Sequence, residues 1–407
     1  MANLRESDKK MSVAKKMLDL GKQSSVIREI FEYGLKRKAE IGAENVFDFS
    51  LGNPSVPAPP QLNDIIKQLI DSVPAEKLHG YTSAPGDQSV REAVADYIQE
   101  TFRFPATAEL IYMTCGAASG LAICLNALTT QDDEVIVFAP FFPEYRIYVE
   151  HSNAKLIIVP CNEHDFQPDL AGLEQAITAN TKAIIVNSPN NPTGTCYRED
   201  TIQKLAEILK QKQLEFKKPI YILSDGPYRE LIYDIELPYL PHYYDNTIII
   251  YSYSKSISLA GARIGYIFVS PLAENANDLF VAICGAGRSL GYVCAPSLFQ
   301  FLIKECIGMT ADLSIYKKNR DILYNGLKDL GFTAVYPSGA FYLFVKSPIQ
   351  DAEKFCELAK KYELLLVPSD SFGYAGFVRI AYCVSTEQII NSLPAFKQLA
   401  KEYNLLP

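Results

Sequence analysis

The sequence predicts an α/β protein: a large domain with a mostly parallel sheet flanked by helices, followed by a smaller α+β domain. Three observations carry this. Apolar runs of strand length alternate with helical spacing from Ile111 to about Leu290, the pattern of right-handed βαβ units. A chain of 407 residues exceeds one ordinary core. Beyond Leu330 the run FTAVYPSGAFYLFVK, a helix near Asp351 to Tyr362, LLLVPSDSFG, GFVRIAYCV and a closing helix read as a compact second unit. The expected parts are residues 1–45, an N-terminal arm and helix packing with the small domain; 46–295, the large domain; and 296–407, the small domain.

Taken in order, residues 1 to about 45 form a polar arm and an amphipathic helix, with Ser25 as cap and Ile27, Ile30, Phe31 and Gly34 on one face. FDFSLGNPSVPAPP starts as a strand and stiffens into a Pro-rich loop in which Gly52 can approach a ligand closely or simply turn the chain. Helices follow at Gln61 to Val73 and, after the turn holding Gly80, Tyr81 and Gly86, at Asp87 to Phe102, capped by Asp87 or Ser89. ELIYMT then runs through Gly116 into an apolar helix. Its N-terminal N–H groups at Ala117 and Ala118 are a credible phosphate cradle, although many βα junctions carry glycine only for packing.

EVIVFAP ends beside Phe142 and Tyr145, aromatics that either stack on a ring or fill a core. KLIIVP, a helix from Pro168 to Ile177 and the strand Ala183 to Val186 lead to NSPNNPTG, a stiff turn presenting Asn191. After a helix from Glu199 to Gln213, PIYILSD places Asp225 at the end of a buried strand, with Tyr228 just beyond. A carboxylate there is costly unless a cation or donors meet it.

The strand Thr247 to Tyr253 delivers Lys255. An amine leaving a buried strand loses proton affinity and becomes a nucleophile toward aldehydes. Arg263, eight residues on, is a planar fork suited to a phosphate. With the hydroxyls of Ser252 and Ser254, these groups suit a small aldehyde bearing a phosphate, and pyridoxal phosphate is that molecule. The strand ends at Gly116, Asn191, Asp225 and Lys255 are expected on one sheet edge, where open α/β sheets bind ligands. A helical stretch from Leu272 to Leu290 contains GAGRSLG, whose glycine spacing, lack of a preceding strand and lack of a ribose-binding acid downstream leave a dinucleotide site little support. One long helical region is expected from Ser297 to Leu330. Arg379, mid-strand among apolar neighbours, calls for a carboxylate ligand or a structural acid.

A net charge of −8 without a basic run argues against nucleic-acid or anionic-membrane partners. Nine cysteines without a CxxC pair fit a reducing compartment rather than a disulfide frame or zinc site. No signal-like or membrane-length apolar run is present, and a cytoplasmic location is expected.

NPTG at Asn191 to Gly194, SDGPY at Ser224 to Tyr228, SYSK followed by Arg263, and PSGAFY at Pro337 to Tyr342 stand in an order that resembles the class I/II aminotransferases of the pyridoxal-phosphate fold-type-I (aspartate aminotransferase-like) superfamily. The resemblance covers nearly the whole chain. It implies that Lys255 holds the cofactor as an aldimine and acts with Asp225 and Tyr228 in catalysis. Asp225 pairs with the ring nitrogen, Asn191 and Tyr228 with the phenolic oxygen, and Phe142 with the ring face. Gly116, Ala117, Ala118, Ser252, Ser254 and Arg263 hold the phosphate, joined by Tyr81 across a homodimer interface. Arg379, Gly52 and Asn191 take the substrate.

The implied activity is a ping-pong exchange of an amino group between an α-amino acid, such as aspartate or an aromatic one, and a 2-keto acid. The alternatives are a carbon–sulfur β-lyase or another lyase or decarboxylase of the same fold, and a regulator built on it. Arg288 could bind a second carboxylate across the dimer, as in some dicarboxylate-specific relatives, or be a surface or helix-capping arginine, and Tyr33, Tyr145, Tyr292 and Phe341 could line an aromatic pocket or pack an interface.

Overall fold

The structure, a computed structural model, describes residues 13–22 and 25–406. Most of the polar arm lies outside them. Strand β1 (Phe47–Asp48) precedes a seven-stranded sheet of β2 (Ile111–Thr114), β3 (Glu134–Ala139), β4 (Lys155–Pro160), β5 (Thr181–Asn187), β6 (Tyr221–Asp225), β7 (Thr247–Ser252) and β8 (Gly265–Val269), ordered β2-β8-β7-β6-β5-β3-β4. Neighbours from β4 to β7 run parallel, while β8 is antiparallel to both β2 and β7. Both faces of this sheet are apolar: Val135 and Val137 of β3 enter one core, Ile136 and Phe138 another. That is why its strands read as continuous hydrophobic runs.

Crossover helices lie on both faces. The helix Ala117–Leu128 packs on the sheet and against Ala276–Ser289. The helix Gln88–Phe102 is capped by Asp87, whose carboxylate accepts from Ser89 N–H, so of the two expected caps Asp87 serves. Ser25 occupies the cap position of Val26–Ile41 but makes no side-chain capping bond.

The antiparallel sheet of β9 (Tyr342–Lys346), β11 (Val367–Pro368) and β12 (Phe377–Ala381) has the order β11-β12-β9. Its core includes Leu343, Val345, Val378 and Ile380 together with residues of the helices Ser314–Asp329 and Thr386–Glu402. β10 (Leu364–Leu365) pairs with β1 in parallel. The helix Val26–Ile41 rests on these elements, with Arg37 paired to Glu363 at 2.6 Å and Lys38 to Asp48 at 2.9 Å.

The single helical region expected from Ser297 to Leu330 is two helices, Ser297–Cys306 and Ser314–Asp329. The first buries Phe301, Leu302 and Ile303 among residues of Gln61–Ser72 and Gln88–Phe102, whereas the second serves the core of the small sheet. Two helices bound to different cores cannot remain one rod, and just before the second one the Asp312 carboxylate accepts from Ser314 N–H at 3.2 Å.

Candidate active site

The carboxyl ends of β5, β6 and β7 and the start of the helix after β2 meet at a cavity of about 290 Å³. Gly116, Asn191, Asp225 and Lys255 therefore gather at one edge. Gly116 heads the Ala117–Leu128 helix at φ +86°, and a Cβ there would lie 2.7 Å from Arg263 Nη2. Only glycine brings the helix N-terminus and the guanidinium so close. Arg263 donates to Cys115 O (3.1 Å), Ala260 O (3.0 Å) and Ser254 Oγ (3.5 Å), and the Ser252 and Ser254 hydroxyls lie 2.6 Å apart. With Ala117 and Ala118 in the cavity wall, these groups form an anion cradle of dipole end, hydroxyls and fixed cation.

Lys255 follows β7 on a single helical turn, Tyr253–Ser256, that carries its amine into the cavity. Nζ donates to Gly52 O at 2.7 Å and stands 5.6 Å from the Phe341 ring centre. Burial pushes its pKa down to about 8, helped by the positive charges of Arg263 and Arg379. A lysine shifted this way is charged below pH 8 and neutral above it. Capture of pyridoxal phosphate by the apoprotein should therefore rise about fiftyfold from pH 6 to pH 8 and level off above about pH 9. Stopped-flow absorbance measures this, and a rate still climbing about tenfold between pH 8 and pH 9 would refute the shift.

Asp225, 6 % exposed, accepts a short hydrogen bond from the Tyr145 hydroxyl on Oδ2, while its buried Oδ1 has no partner among the described residues. Burial pushes its pKa up to about 6, against the Tyr145 bond. An unmatched buried carboxylate oxygen costs about 1–3 kcal/mol or more, and a cation or N–H placed on it would recover this. Asn187 fixes the neighbourhood by donating to Asp225 O (2.9 Å) and accepting from Asn191 N–H (2.8 Å). Phe142 forms another part of the wall, edge-on to Tyr145 at 5.7 Å. The Tyr228 hydroxyl meets that of Tyr342 at 2.9 Å, and burial raises the Tyr228 pKa well above the ordinary phenol value.

Arg379 on β12 is buried beside the rings of Tyr342 and Phe372, with their centres 4.8 and 5.1 Å away. It donates to Asn191 Oδ1 (3.1 Å) and Ser50 O, its Nε is buried without a partner, and no ion pair to it exists among the described residues. Four successive carbonyls are thus taken by groups around the site: Phe49 O by Ala381 N–H, Ser50 O by Arg379, Leu51 O by the Cys383 thiol at 3.6 Å, and Gly52 O by Lys255. Because the Gly52 carbonyl is an acceptor, only its N–H could serve a carboxylate. A Cβ on Gly52 would fall 2.0 Å from the Tyr342 hydroxyl, so that close approach requires glycine.

Not every expected residue joins the cavity. Tyr81 is 89 % exposed and lies outside the cavity wall, as does exposed Arg288. Tyr33 lies under Lys360 on another face, Tyr292 packs at the edge of a core, and Phe341 is buried behind Lys255. Of the four candidate pocket aromatics, only Tyr145 lines the site. Sequence reasoning assigned no role to Tyr342, Asn187 or Ile27, all in the wall. Tyr342 stood inside PSGAFY and Asn187 at a strand end, but Ile27 carried no signal apart from its helical face.

A desolvated amine, an unmatched buried carboxylate and an anion cradle around one cavity are what a small phosphorylated pyridine aldehyde needs, and the residues present fit it. The chain belongs to the aminotransferase class I and II family, whose model matches residues 44–395. A solved aminotransferase from Eubacterium rectale is 50 % identical with a TM-score of 0.95, covering 97 % of this chain and 100 % of that one. A protein named "Probable aspartate aminotransferase" from Methanocaldococcus jannaschii is 30 % identical over 389 residues, 92 % of this chain and 96 % of the relative. A "Probable N-acetyl-LL-diaminopimelate aminotransferase" from Bacillus subtilis is 30 % identical over 386 residues, 90 % of this chain and 92 % of the relative. The protein is a pyridoxal-phosphate-dependent aminotransferase. These similarities do not favour the lyase alternative. Among the described residues no helix is long and apolar enough to cross a membrane.

Proposed function

We propose that Lys255 is the catalytic base and acid of amino transfer between an α-amino acid and a 2-keto acid, with Asp225 and Tyr228 tuning the cofactor beside it. The observation that carries this is the unmatched Oδ1 of Asp225 in the same cavity as the desolvated Lys255 amine. When bound, pyridoxal phosphate supplies an aldehyde for the amino group and a ring that accepts the electron pair left at Cα.

In this reading Asp225 holds a proton on the ring nitrogen, and Tyr145 fixes the carboxylate's direction. Asn191 turns Oδ1 to Arg379, leaving its donor end, with the Tyr228 hydroxyl, for the phenolic oxygen. Phe142 covers one ring face. Ala117 and Ala118 N–H, after the Gly116 turn, hold the phosphate with Ser252, Ser254 and Arg263. Arg379, assisted by Asn191 and the Gly52 N–H, receives the substrate carboxylate. Lys255, as a neutral amine, would take the proton from the substrate Cα and hold it for return.

Tyr81 completes the phosphate site of a second copy in a homodimer, a reading supported by its exposure and its place outside this chain's cavity. The large unit runs to about Cys306 and the small unit from about Ser314, on the packing of the two helices around that break. A cytoplasmic location is supported by nine free cysteines. The activity is tested by incubating the cofactor-loaded protein with an amino donor, with and without a 2-keto acid. Amino acid formed in proportion to the added acceptor supports the reading; ammonia or pyruvate released without acceptor overturns it in favour of a lyase.

A further inference from the structure

We infer that the amino acid handled at this site carries an uncharged, apolar side chain, aliphatic or aromatic. This deepens the function proposed above and rests on the roles given there to Arg379 and Lys255. Those two residues anchor to Ser50 O and Gly52 O, and Leu51 lies between the anchored carbonyls. Leu51 is 39 % exposed and lines the cavity. Ile27, from the helix Val26–Ile41, lines the same space. A substrate with its carboxylate on Arg379 and its Cα under Lys255 sets its remaining substituent beside the residue that bridges those anchors, so the side chain meets hydrocarbon from Leu51 and Ile27.

The cations in the described wall are Lys255, Arg263 and Arg379. Each already has a place: Arg379 faces the first carboxylate, Lys255 the reacting carbon, and Arg263 stands at the cradle beside Ala117. Within one chain Arg288 lies outside the cavity, so only a second copy, as proposed for Tyr81, would bring it to the substrate, and Arg229 is enclosed between the rings of Phe102 and Tyr251. A second carboxylate in the position of a dicarboxylic donor would lose water and gain an apolar wall. A hydrocarbon side chain would gain contact with that wall.

Two measurements on the full chain test this. The cofactor-loaded protein is mixed with leucine, methionine, phenylalanine, aspartate or glutamate alone, and loss of the cofactor's aldehyde absorbance is followed. The apolar donors are expected to exceed the acidic ones by about tenfold or more in kcat/KM. Equal or faster reaction of aspartate or glutamate overturns the inference, including the case in which a partner subunit supplies the cation. Separately, calorimetry compares 4-methylpentanoate with succinate binding, a readout that needs no turnover. Tighter 4-methylpentanoate binding by about tenfold supports the inference, and equal or tighter succinate binding overturns it. If no donor reacts while 4-methylpentanoate still binds more tightly, it is the transamination reading that fails. Leu51→Arg should move the aspartate-to-leucine ratio at least about tenfold toward aspartate, and an unchanged ratio overturns the placement of the side chain beside Leu51.

Discussion

Lys255→Ala is expected to lower turnover by about 10⁴-fold or more while the protein still binds its cofactor. The factor follows from the role proposed for the side chain: a positioned base in proton transfer contributes up to about 10⁴, and in that proposal this residue also presents the nucleophile that receives the aldehyde. The neighbouring charged groups in the cavity wall cannot replace it. Arg263 and Arg379 are guanidiniums, which do not deprotonate in proteins, and the Asp225 carboxylate is bonded to Tyr145. Binding persists because the cradle of helix N-terminus, Ser252, Ser254 and Arg263 is untouched, as is Asp225. The measurements are kcat with a saturating donor, cofactor retained after gel filtration, and the site of a borohydride-fixed pyridoxyl label. A label on another lysine, or turnover within tenfold of the native protein, defeats the assignment.

Asp225→Asn is expected to cost about 10²–10³ in kcat, the size found when one preorganised electrostatic partner of a transition state is removed. The substitution conserves shape and can still accept from Tyr145, so the fold is retained. What changes is the free end: an oxygen able to hold a protonated nitrogen is exchanged for an amide that cannot stabilise positive charge. Burial, partly offset by the Tyr145 bond, already pushes the native carboxylate up to about 6, so an acid here stays ionised at neutral pH. A cation on Oδ1 would pull that value down again. The Asn variant should accordingly lose the proton from the bound ring at a lower pH, seen as a shifted absorbance titration. Unaltered kcat together with an unaltered titration would show that Oδ1 does not face the ring nitrogen.

The sheet edge was legible because β5, β6 and β7 are apolar runs that end abruptly in polar residues, and a polar group at such a point has few structural uses. Asp225, Lys255 and Asn191 announce themselves in that way. Arg379 did so through the lack of a neighbouring acid. What could not be read were pairings across long stretches of chain: Tyr145 with Asp225 over 80 residues, Tyr228 with Tyr342 over 114, and Lys255 with Gly52 over 203. Nothing in local spacing encodes such meetings. The antiparallel β8 was likewise hidden, since an apolar run of five residues carries no sign of its direction. The break between Cys306 and Ser314 was passed over although Gly308, at φ +79°, is a stop signal there, because helical periodicity on its two sides is similar.

The ribbon from Phe49 to Gly52 acts as a ruler. Arg379, Ala381 and Cys383 alternate along one edge and read off three of its marks, and Lys255 reads the fourth from the opposite side of the cleft. An insertion or deletion of one residue there would displace the Arg379 and Lys255 anchors together, while a substitution that preserves the count would leave both in step. With the roles proposed for Arg379 and Lys255, the distance between where a substrate is gripped and where it is changed is thus written in backbone, which side-chain drift cannot easily erase.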